Sequence, residues 1–444
     1  MRLVSLLILM MTLLIVPAYA TTIQEVESKG GIKAWLVEDH KLPLISIHFA
    51  FRGGVEQDPV EKQGLTNLTV ELLTAGAGPY DASAFQQQMA DYSINISFTA
   101  GRDAIYGGAK GLSKDKDKIA ELLRLALTEP RFAADDIERL RNQQLAALRM
   151  QLGSSDWQSR YALFQHIFAH HPYGARRLGS TATLASLTRE DIKNFATDHL
   201  ARDNLTVAVA GDITPEELAS FLDAIFGVVP AQAKLAVIPE LTLSAEPATI
   251  LVPREGTQTQ LLFAMPGPKR NDPDWYAAEI TNYILGGGGF ASRLMHEVRD
   301  KAGLTYGIGT DLSPMDFGAV IIGEASTDND KTAEAWKITL ATMRSFYKDG
   351  ATEKDINAAK DYLTGATPLA MTSTDKIAAV LVEMQLENLG RDYLDRRPTL
   401  LRQVTAEDIR RVITKWFNPD KLNLSMVGKP EGIQPTQTRE LVAN

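Results

Sequence analysis

An internal repeat is the feature that most constrains how this 444-residue chain can fold. The segment from Thr188 to Gly211 recurs from Thr405 to Gly428, at a constant offset of 217 residues (405 − 188 and 428 − 211). In both copies Thr stands at a predicted helix N-cap, Glu and Asp occupy the first turn, and an alternating strand closed by Gly follows. A chain with such a duplication is predicted to fold as two similar halves.

Each half is predicted to combine one sheet with several helices. From Ile45 to Arg52, large apolar side chains alternate with small or polar ones, which is the period of a half-buried strand. A helical pattern follows from Leu65 to Leu72, and longer amphipathic segments run from Lys118 to Leu127 and from Asp135 to Leu152. This mixture predicts an α+β fold.

Residues 1–20 have the pattern of a secretory signal peptide. Arg2 precedes an apolar run from Leu3 to Val16, and Ala18-Tyr19-Ala20 provides a small-x-small cleavage site. The run is shorter than the ~20 residues that span a bilayer, so an uncleaved membrane anchor is the less favoured alternative. The sequence therefore predicts a periplasmic or secreted protein, cleaved after Ala20 and without further membrane attachment.

Proline spacing places the predicted domain boundary. Three prolines at positions 230, 239 and 247 interrupt a stretch without sustained helical or strand period. The predicted order after the signal peptide is an N-terminal domain over 21–230, a linker over 231–247 and a C-terminal domain over 248–430. The polar, aperiodic residues 431–444 are predicted to form a flexible tail.

Composition excludes several classes of function. The chain has no cysteine, so disulfides, thiolate metal sites and a cysteine nucleophile play no part. The net charge is −9, which becomes −10 when Arg2 leaves with the signal peptide, and no Lys/Arg run occurs. These features argue against nucleic acid as a partner. No serine-hydrolase elbow or phosphate-binding loop is present either.

The order of motifs in the first half resembles the opening of the pitrilysin or insulinase-type zinc peptidases. A predicted strand ends at Gly53-Gly54, then Asp58-Pro59 and Gly64-Leu65 precede a helix. In that family the helix carries His-x-x-Glu-His, whose imidazoles bind zinc and whose Glu activates the metal-bound water. The resemblance implies two homologous domains in a clamshell arrangement, each a mainly antiparallel sheet with helices packed on it.

The zinc motif itself is degenerate in this chain. Aligned on Gly64-Leu65, the three motif positions are Asn67, Val70 and Glu71. No acidic residue occurs from Arg139 to Ser155, where the third ligand of the family is expected. Asn67 and Glu71 share a helix face, but two such ligands make a poor site for a hard cation, and a solvated polar pair is favoured. The sequence predicts no metal and no cofactor in this chain.

The seven histidines offer no alternative metal site. His166 and His170 have the i,i+4 spacing of two zinc ligands, yet Ala169 stands where the family has Glu. The stretch from His170 to Gly174 reads His-His-Pro-Tyr-Gly, which resembles a loop typical of the family at this point.

The second half carries the motifs that the resemblance links to substrate binding. A glycine run precedes a predicted helix from Ser292 to Arg299, and a strand is predicted to start at Leu304. This block resembles the family's Gly-rich turn and its Arg and Tyr, seven positions apart, which hold the substrate at the zinc site. Arg299 and Tyr306 keep that spacing. The resemblance implies that peptide is bound by Arg299, Tyr306, Gly286, Gly287, Gly288 and Gly289.

Simpler interpretations of this pair remain open. Arg299 is also what a helix C-terminus favours, and Tyr306 could be an ordinary strand aromatic. The predicted function is a catalytically incomplete subunit of an exported heterodimeric zinc metallopeptidase, inactive alone, which resembles the non-zinc subunit of mitochondrial processing peptidase. A homologous partner subunit with the zinc motif would then hold the zinc. The alternative is a non-peptidase scaffold or peptide-binding protein with the same fold.

Overall fold

A computed structural model describes residues 22–243, 246–366 and 371–441, so the predicted signal peptide lies outside the described residues. Its described strands form two six-stranded sheets. The first sheet contains β1 Gln24–Glu27, β2 Lys33–Glu38, β3 Leu44–Arg52, β4 Asn95–Ala100, β5 Ala104–Leu112 and β6 Leu205–Gly211. The second contains β7 Thr249–Pro253, β8 Gln258–Pro266, β9 Ile308–Met315, β10 Gly318–Asp328, β11 Asn423–Gly428 and β12 Gln437–Thr438.

Helices cover both sheets. In the first half these are α1 Leu65–Leu72, α2 Ala82–Asp91, α3 Lys116–Thr128, α4 Ala134–Leu152, α5 Ser155–Ile167, α6 Thr181–Ser186, α7 Arg189–His199 and α8 Pro215–Phe226. In the second half they are α9 Trp275–Asn282, α10 Thr332–Asp349, α11 Glu353–Ala366, α12 Thr374–Leu386, α13 Tyr393–Gln403 and α14 Ala406–Trp416. Two π-helices, Tyr283–Gly287 and Met295–Lys301, follow α9.

The two sheets share one topology in five of their six strands, and the outer strands β1 and β12 differ. The strand order is β1-β2-β6-β3-β5-β4 in the first sheet and β12-β7-β11-β8-β10-β9 in the second. In each, the strand that ends the repeated segment (β6 or β11) pairs in parallel on one side and antiparallel on the other. Most other neighbours are antiparallel. The predicted α+β class with two homologous, mainly antiparallel domains is therefore confirmed.

The duplicated sequence forms the same local structure in both halves. Thr188 and Thr405 cap α7 and α14, and each hydroxyl accepts a hydrogen bond from a backbone N–H, of Asp191 and Asp408 respectively, at 3.1 Å. Each Asp carboxylate accepts in return from the backbone N–H of its Thr, at 2.8 and 2.9 Å. These reciprocal bonds satisfy N–H groups that a helix start leaves without partners.

Each sheet is covered on one face by a helix from the other half of the chain. Helix α12 packs on β3 and β6 of the first sheet, and α5 packs on β7, β8 and β11 of the second. The large apolar residues of β3 face the core of their own half. Its other face is also buried, because Ser46 contacts Thr374 at 2.9 Å and Ala50 packs against α12. The prediction that β3 is a half-buried strand was therefore wrong.

The segments predicted as linker and tail make specific backbone contacts. Residues 231–243 and 246–248 form neither helix nor strand. The backbone N–H of Lys234 donates to Asp198 O at 2.7 Å, and that of Leu241 donates to Phe317 O at 2.6 Å. In the region predicted as a tail, Gln437–Thr438 pairs in parallel with β7. Over the described residues, no helix has the length and apolar character needed to cross a membrane.

Candidate functional site

The helix that corresponds to the family's zinc helix is α1, and a partly buried carboxylate fixes its start. Asp58 accepts hydrogen bonds from the backbone N–H of Gly64 at 2.8 Å and of Thr66 at 2.9 Å. It also accepts one from the Thr66 hydroxyl at 2.6 Å. Asp58 thus serves as an N-cap from outside the helix, which explains the Asp-Pro and Gly-Leu pairs before it.

The three zinc-motif positions hold side chains that do not converge on a metal. Val70 is 3% exposed and belongs to the apolar core. The Asn67 side-chain amide donates to the backbone oxygen of Arg177 at 2.5 Å. Glu71 lies in an open groove of about 540 Å³, where partial burial raises the pKa of its carboxyl group. Asn67 lines a different pocket, so the motif positions are split between two cavities.

The helix opposite α1 supplies no replacement ligand. Helix α4 lines the same groove through Gln144, which is buried. Its amide donates to the backbone oxygens of Gly64 and Leu178, both at 3.1 Å, and is therefore held by the protein itself. Across the described ranges, no group of three or more His, Cys, Asp or Glu side chains could hold a metal ion. These residues do not fit a zinc ion.

The glycine run of the second half lines a second groove, of about 480 Å³. Gly286, Gly287 and Gly289 form one wall, and the start of the edge strand β9, including Thr310, forms another. A Cβ atom on Gly286 would lie 2.3 Å from Thr310 Oγ1 and 2.7 Å from its backbone N, so only glycine permits this approach. The Gly288 N–H donates to Tyr283 O at 2.9 Å within the turn.

Tyr306 is exposed next to Gly307, which lines this groove, and Arg299 is partly buried on the preceding helix. Arg299 is on the second π-helix, and its guanidinium stacks on the ring of Phe290 at 4.4 Å. Tyr306 is 88% exposed and Phe290 is 70% exposed. Among the described residues, no side chain or backbone group forms a hydrogen bond with the guanidinium of Arg299 or the hydroxyl of Tyr306.

Two details of this block differ from prediction. The strand predicted to start at Leu304 starts at Ile308, so Tyr306 lies in the connection before it. The preceding helix has π rather than α geometry over Met295–Lys301. Arg293 on the same segment is a structural residue, because it pairs with Asp355 at 2.9 Å and stacks on Phe346 at 4.9 Å. Its role differs from that of Arg299.

The His-Pro-Tyr-Gly loop joins the two halves. The Tyr173 hydroxyl donates to Asp103 Oδ1 at 2.5 Å and accepts from the backbone N–H of Phe317 at 3.0 Å. His171 Nδ1 accepts from the backbone N–H of Tyr173 at 3.1 Å. Its Nε2 lies 2.9 Å from Pro239 O, which requires the proton on Nε2. Both ring nitrogens are thus used in holding the loop and the interdomain segment.

One cavity is lined by arginines that no motif indicated. It lies beside Asn67 and is lined by four arginines, Arg102, Arg160, Arg176 and Arg177. Since these residues come from three separate stretches of sequence, only the folded chain brings them together.

Comparison with known proteins agrees with this geometry. Residues 186–363 match the family described as the peptidase M16 inactive domain. A relative in Helicobacter pylori, named "Non-peptidase homolog YmxG", is 24% identical over 353 residues, which cover 79% of this chain and 81% of that protein. The expected resemblance to the pitrilysin-type peptidases is confirmed, with a match to the family's inactive domain.

Solved structures share the whole fold. The crystal structure of a peptidase M16 inactive domain from Pseudomonas fluorescens has a TM-score of 0.86 and 26% identity, and the match covers 95% of this chain and 100% of that one. The periplasmic protease PqqL from Escherichia coli has a TM-score of 0.78 and 15% identity. That match covers 93% of this chain but 46% of PqqL, so the shared fold forms about half of the longer protein.

Proposed function

This chain has the peptidase M16 fold and matches the M16 inactive domain over residues 186–363, and from this premise we propose a function. We propose that the chain is the non-catalytic subunit of a heterodimeric zinc metallopeptidase. In this proposal the chain binds an extended peptide and supplies Arg299 and Tyr306 to the zinc site of a homologous partner. The family's two zinc-binding His are replaced here by Asn67 and Glu71, and its water-activating Glu by Val70, so the chain is incomplete alone.

The observation that carries the proposal is the state of Arg299 and Tyr306. A tyrosine retained only for stability would be expected to bury its ring or bond its hydroxyl, whereas Tyr306 is 88% exposed. The guanidinium of Arg299 is oriented by Phe290. Both groups are hydrogen-bond donors, and such donors suit a peptide carbonyl that gains negative charge during hydrolysis.

The groove beside these residues supports binding of an extended chain. Edge strand β9 borders it, and β9 has a sheet neighbour on one side only. Main-chain pairing with an exposed edge accepts many peptide sequences. At Thr310, however, the backbone oxygen already accepts from the Asn282 amide at 3.0 Å, so pairing would have to use other parts of the strand.

The proposed location is the periplasm or the exterior of the cell, after cleavage behind Ala20. The support is the signal-like sequence of residues 1–20. N-terminal sequencing of the secreted protein should begin at Thr21, and a mature protein that still begins at Met1 would contradict export by cleavage.

The test is reconstitution with a homologous subunit that carries His-x-x-Glu-His. Arg299→Ala and Tyr306→Phe should each lower turnover by the mixed complex by about 10²-fold, because each removes one donor to the developing oxyanion. Assembly and the zinc content of the complex should not change, because neither side chain is part of a core. Steady-state kinetics and metal analysis of the same samples provide the measurement.

The matched control is Lys301→Ala. Lys301 is a cation on the same π-helix, paired with Glu297 at 2.7 Å and exposed to solvent. Its removal should leave turnover near the wild-type value. The purified chain alone should bind no stoichiometric zinc and cleave no peptide. Full activity of both variants in an intact complex would instead favour the alternative function, a scaffold or peptide-binding protein with this fold.

A further inference from the structure

A pocket of about 320 Å³ lies beside the first zinc-motif position. It is built from the start of α5, the loop that follows His-Pro-Tyr-Gly, and the turn before β5. Four arginines line it, and Asn67 connects it to helix α1. A pocket of this size is large enough for a side chain or the end of a peptide rather than for a single ion.

Arg102 is the central cation of this pocket. Its guanidinium lies 5.5 Å from the ring centroid of Phe164 and 5.3 Å from that of Tyr173. Burial lowers the pKa of Arg102, although arginine stays charged in proteins. The guanidinium has no hydrogen-bond acceptor and no ion pair in the part of the chain that the structure describes. Its N–H donors are therefore available to a ligand that carries an acceptor.

Two acidic groups lie near Arg102, and neither accepts a hydrogen bond from its guanidinium, although the Asp103 charge favours the charged form of Arg102. Asp103 accepts hydrogen bonds from the Tyr173 hydroxyl at 2.5 Å and from the backbone N–H of Asp316 at 3.3 Å. Glu56 lines the pocket and is 3% exposed. Its burial, and to a smaller extent the nearby charge of Asp103, raise its pKa to about 8. Glu56 is therefore mostly uncharged at neutral pH.

The other arginines add positive charge around the opening. Arg160 lies 3.8 Å from Glu324 in a half-exposed ion pair. Arg177 donates to the backbone oxygen of Ala100, and Arg176 stacks on Tyr161 at 4.8 Å. With Arg102 they bring four guanidinium groups to the lining of this pocket, which also contains Glu56, so the lining carries net positive charge.

The shape of the pocket selects the chemistry of the anion. The rings of Trp157 and Tyr161 stack with centroids 5.0 Å apart and planes 11° apart, which gives the cavity a flat apolar wall. A guanidinium fork fits a planar carboxylate in two-point contact. Leu178 lines both this pocket and the groove at Val70 and Glu71, so a peptide lying over the zinc-motif helix would pass the opening.

We infer that this pocket binds a carboxylate of a peptide, either its C-terminal carboxylate or an acidic side chain, and that Arg102 receives it. The inference rests on the proposed peptide-binding function and adds a preference for acidic peptides or free C-termini. The aromatic wall accommodates the apolar part of the same residue.

The test is isothermal titration of the full-length mature chain with three forms of one short apolar peptide. One form has a free C-terminal carboxylate, one has a C-terminal amide, and the third is the amide with a single Glu inserted. We expect the free acid or the Glu form to bind more tightly than the plain amide, by roughly 30-fold or more. Which of the two gains affinity identifies the source of the carboxylate.

Arg102→Met should abolish this preference and leave the plain amide unaffected. Its melting temperature should stay equal to or above that of the wild type, because the variant replaces an unpaired buried charge by an apolar side chain. Arg102→Lys keeps the charge without the planar fork and should restore only part of the preference. The matched control for charge removal is Arg391→Met. Arg391 is exposed and lies in a turn that is distant from Arg102 in the sequence.

The outcomes separate this inference from the proposed function. Equal affinity of all three peptides, or a preference that survives in Arg102→Met, would overturn the carboxylate pocket and leave peptide binding intact. Binding of none of the peptides would contradict the proposed function itself. If Arg102→Met fails to fold, Arg160→Gln at the half-exposed rim should still weaken the preference, and an unchanged preference there would count against the pocket.

Discussion

At the scale of single residues, the side chains that replace the zinc motif have structural roles. Asn67 and Gln144 both donate to backbone oxygens, and Val70 is buried in the core. A polar side chain already bonded to the backbone must break that bond before it can bind a metal. Restoring zinc binding would therefore require more than one substitution in α1.

Glu56 makes the stability of this protein depend on pH. Burial and the nearby Asp103 raise its pKa from 4.5 to about 8. The folded state thus holds a proton that the unfolded chain releases above its ordinary pKa. The free energy of unfolding should fall as pH rises from about 4.5 to about 8, by up to about 1.4 kcal/mol per pH unit from this group.

The variant Glu56→Gln isolates this effect, because an amide of similar shape cannot ionise. Urea denaturation at about pH 5 and about pH 8 should show a smaller loss of stability in the variant than in the wild type. An identical pH dependence in both proteins would mean that Glu56 ionises normally in the folded state.

At the scale of elements, short-range caps determine where the helices begin. Asp58 lies six residues before Gly64, yet it satisfies N–H groups at the start of α1. Helix α1 lines both the groove at Glu71 and the arginine pocket, so its position affects the shape of both cavities.

Asp58→Ala should lower the free energy of unfolding by about 2–3 kcal/mol, because three hydrogen bonds to a partly buried carboxylate disappear. The matched control is Asp81→Ala at the exposed N-cap of α2, where one bond to the Ala84 N–H is lost at 2.8 Å. That substitution should lower the free energy of unfolding by about 1 kcal/mol. Equal losses in urea denaturation would show that burial of the Asp58 cap contributes nothing extra.

At the scale of the whole molecule, the exchange of helices makes the two halves dependent on each other. The first sheet presents Ala50, Ala208 and Ala210 to α12, and the second sheet receives α5 from the first half. Small side chains allow a helix to lie close to a sheet, so each face is shaped for a helix that its own half does not supply.

A fragment of residues 21–230 expressed alone should therefore fail to form a stable domain. One face of its sheet would be exposed to water, and α5 would have no sheet to cover. Co-expression with residues 231–444 should restore a soluble, associated pair. Size-exclusion chromatography and thermal unfolding provide the measurement. A lone fragment that unfolds cooperatively near the melting temperature of the full chain would contradict this dependence.

The control is the full-length chain with a protease site inserted between residues 231 and 243. The protease cuts this chain after it has folded. The two pieces should stay together after cutting, because the exchanged helices and the Tyr173 bonds to Asp103 and Phe317 hold them. Separation of the pieces in native buffer would show that the covalent linker, rather than packing, maintains the pair.

The sequence alone determined the features that depend on near neighbours. The repeat predicted two matching halves, and the capped helices at Thr188 and Thr405 form as expected. The alternation in β3 identified its core-facing side, and the degenerate motif identified Asn67, Val70 and Glu71. A helix cap or a strand period involves residues a few positions apart, and such patterns can be read directly from the chain.

Tertiary structure decided everything that depends on distant residues. The second face of β3 is covered by a helix more than 300 positions later, so its alternation alone predicted exposure to solvent. The close approach of Gly286 to Thr310 also joins residues that are distant in the sequence. The pocket around Arg102 likewise combines separate stretches. Close packing between residues far apart in sequence fixes these features, and no local pattern records it.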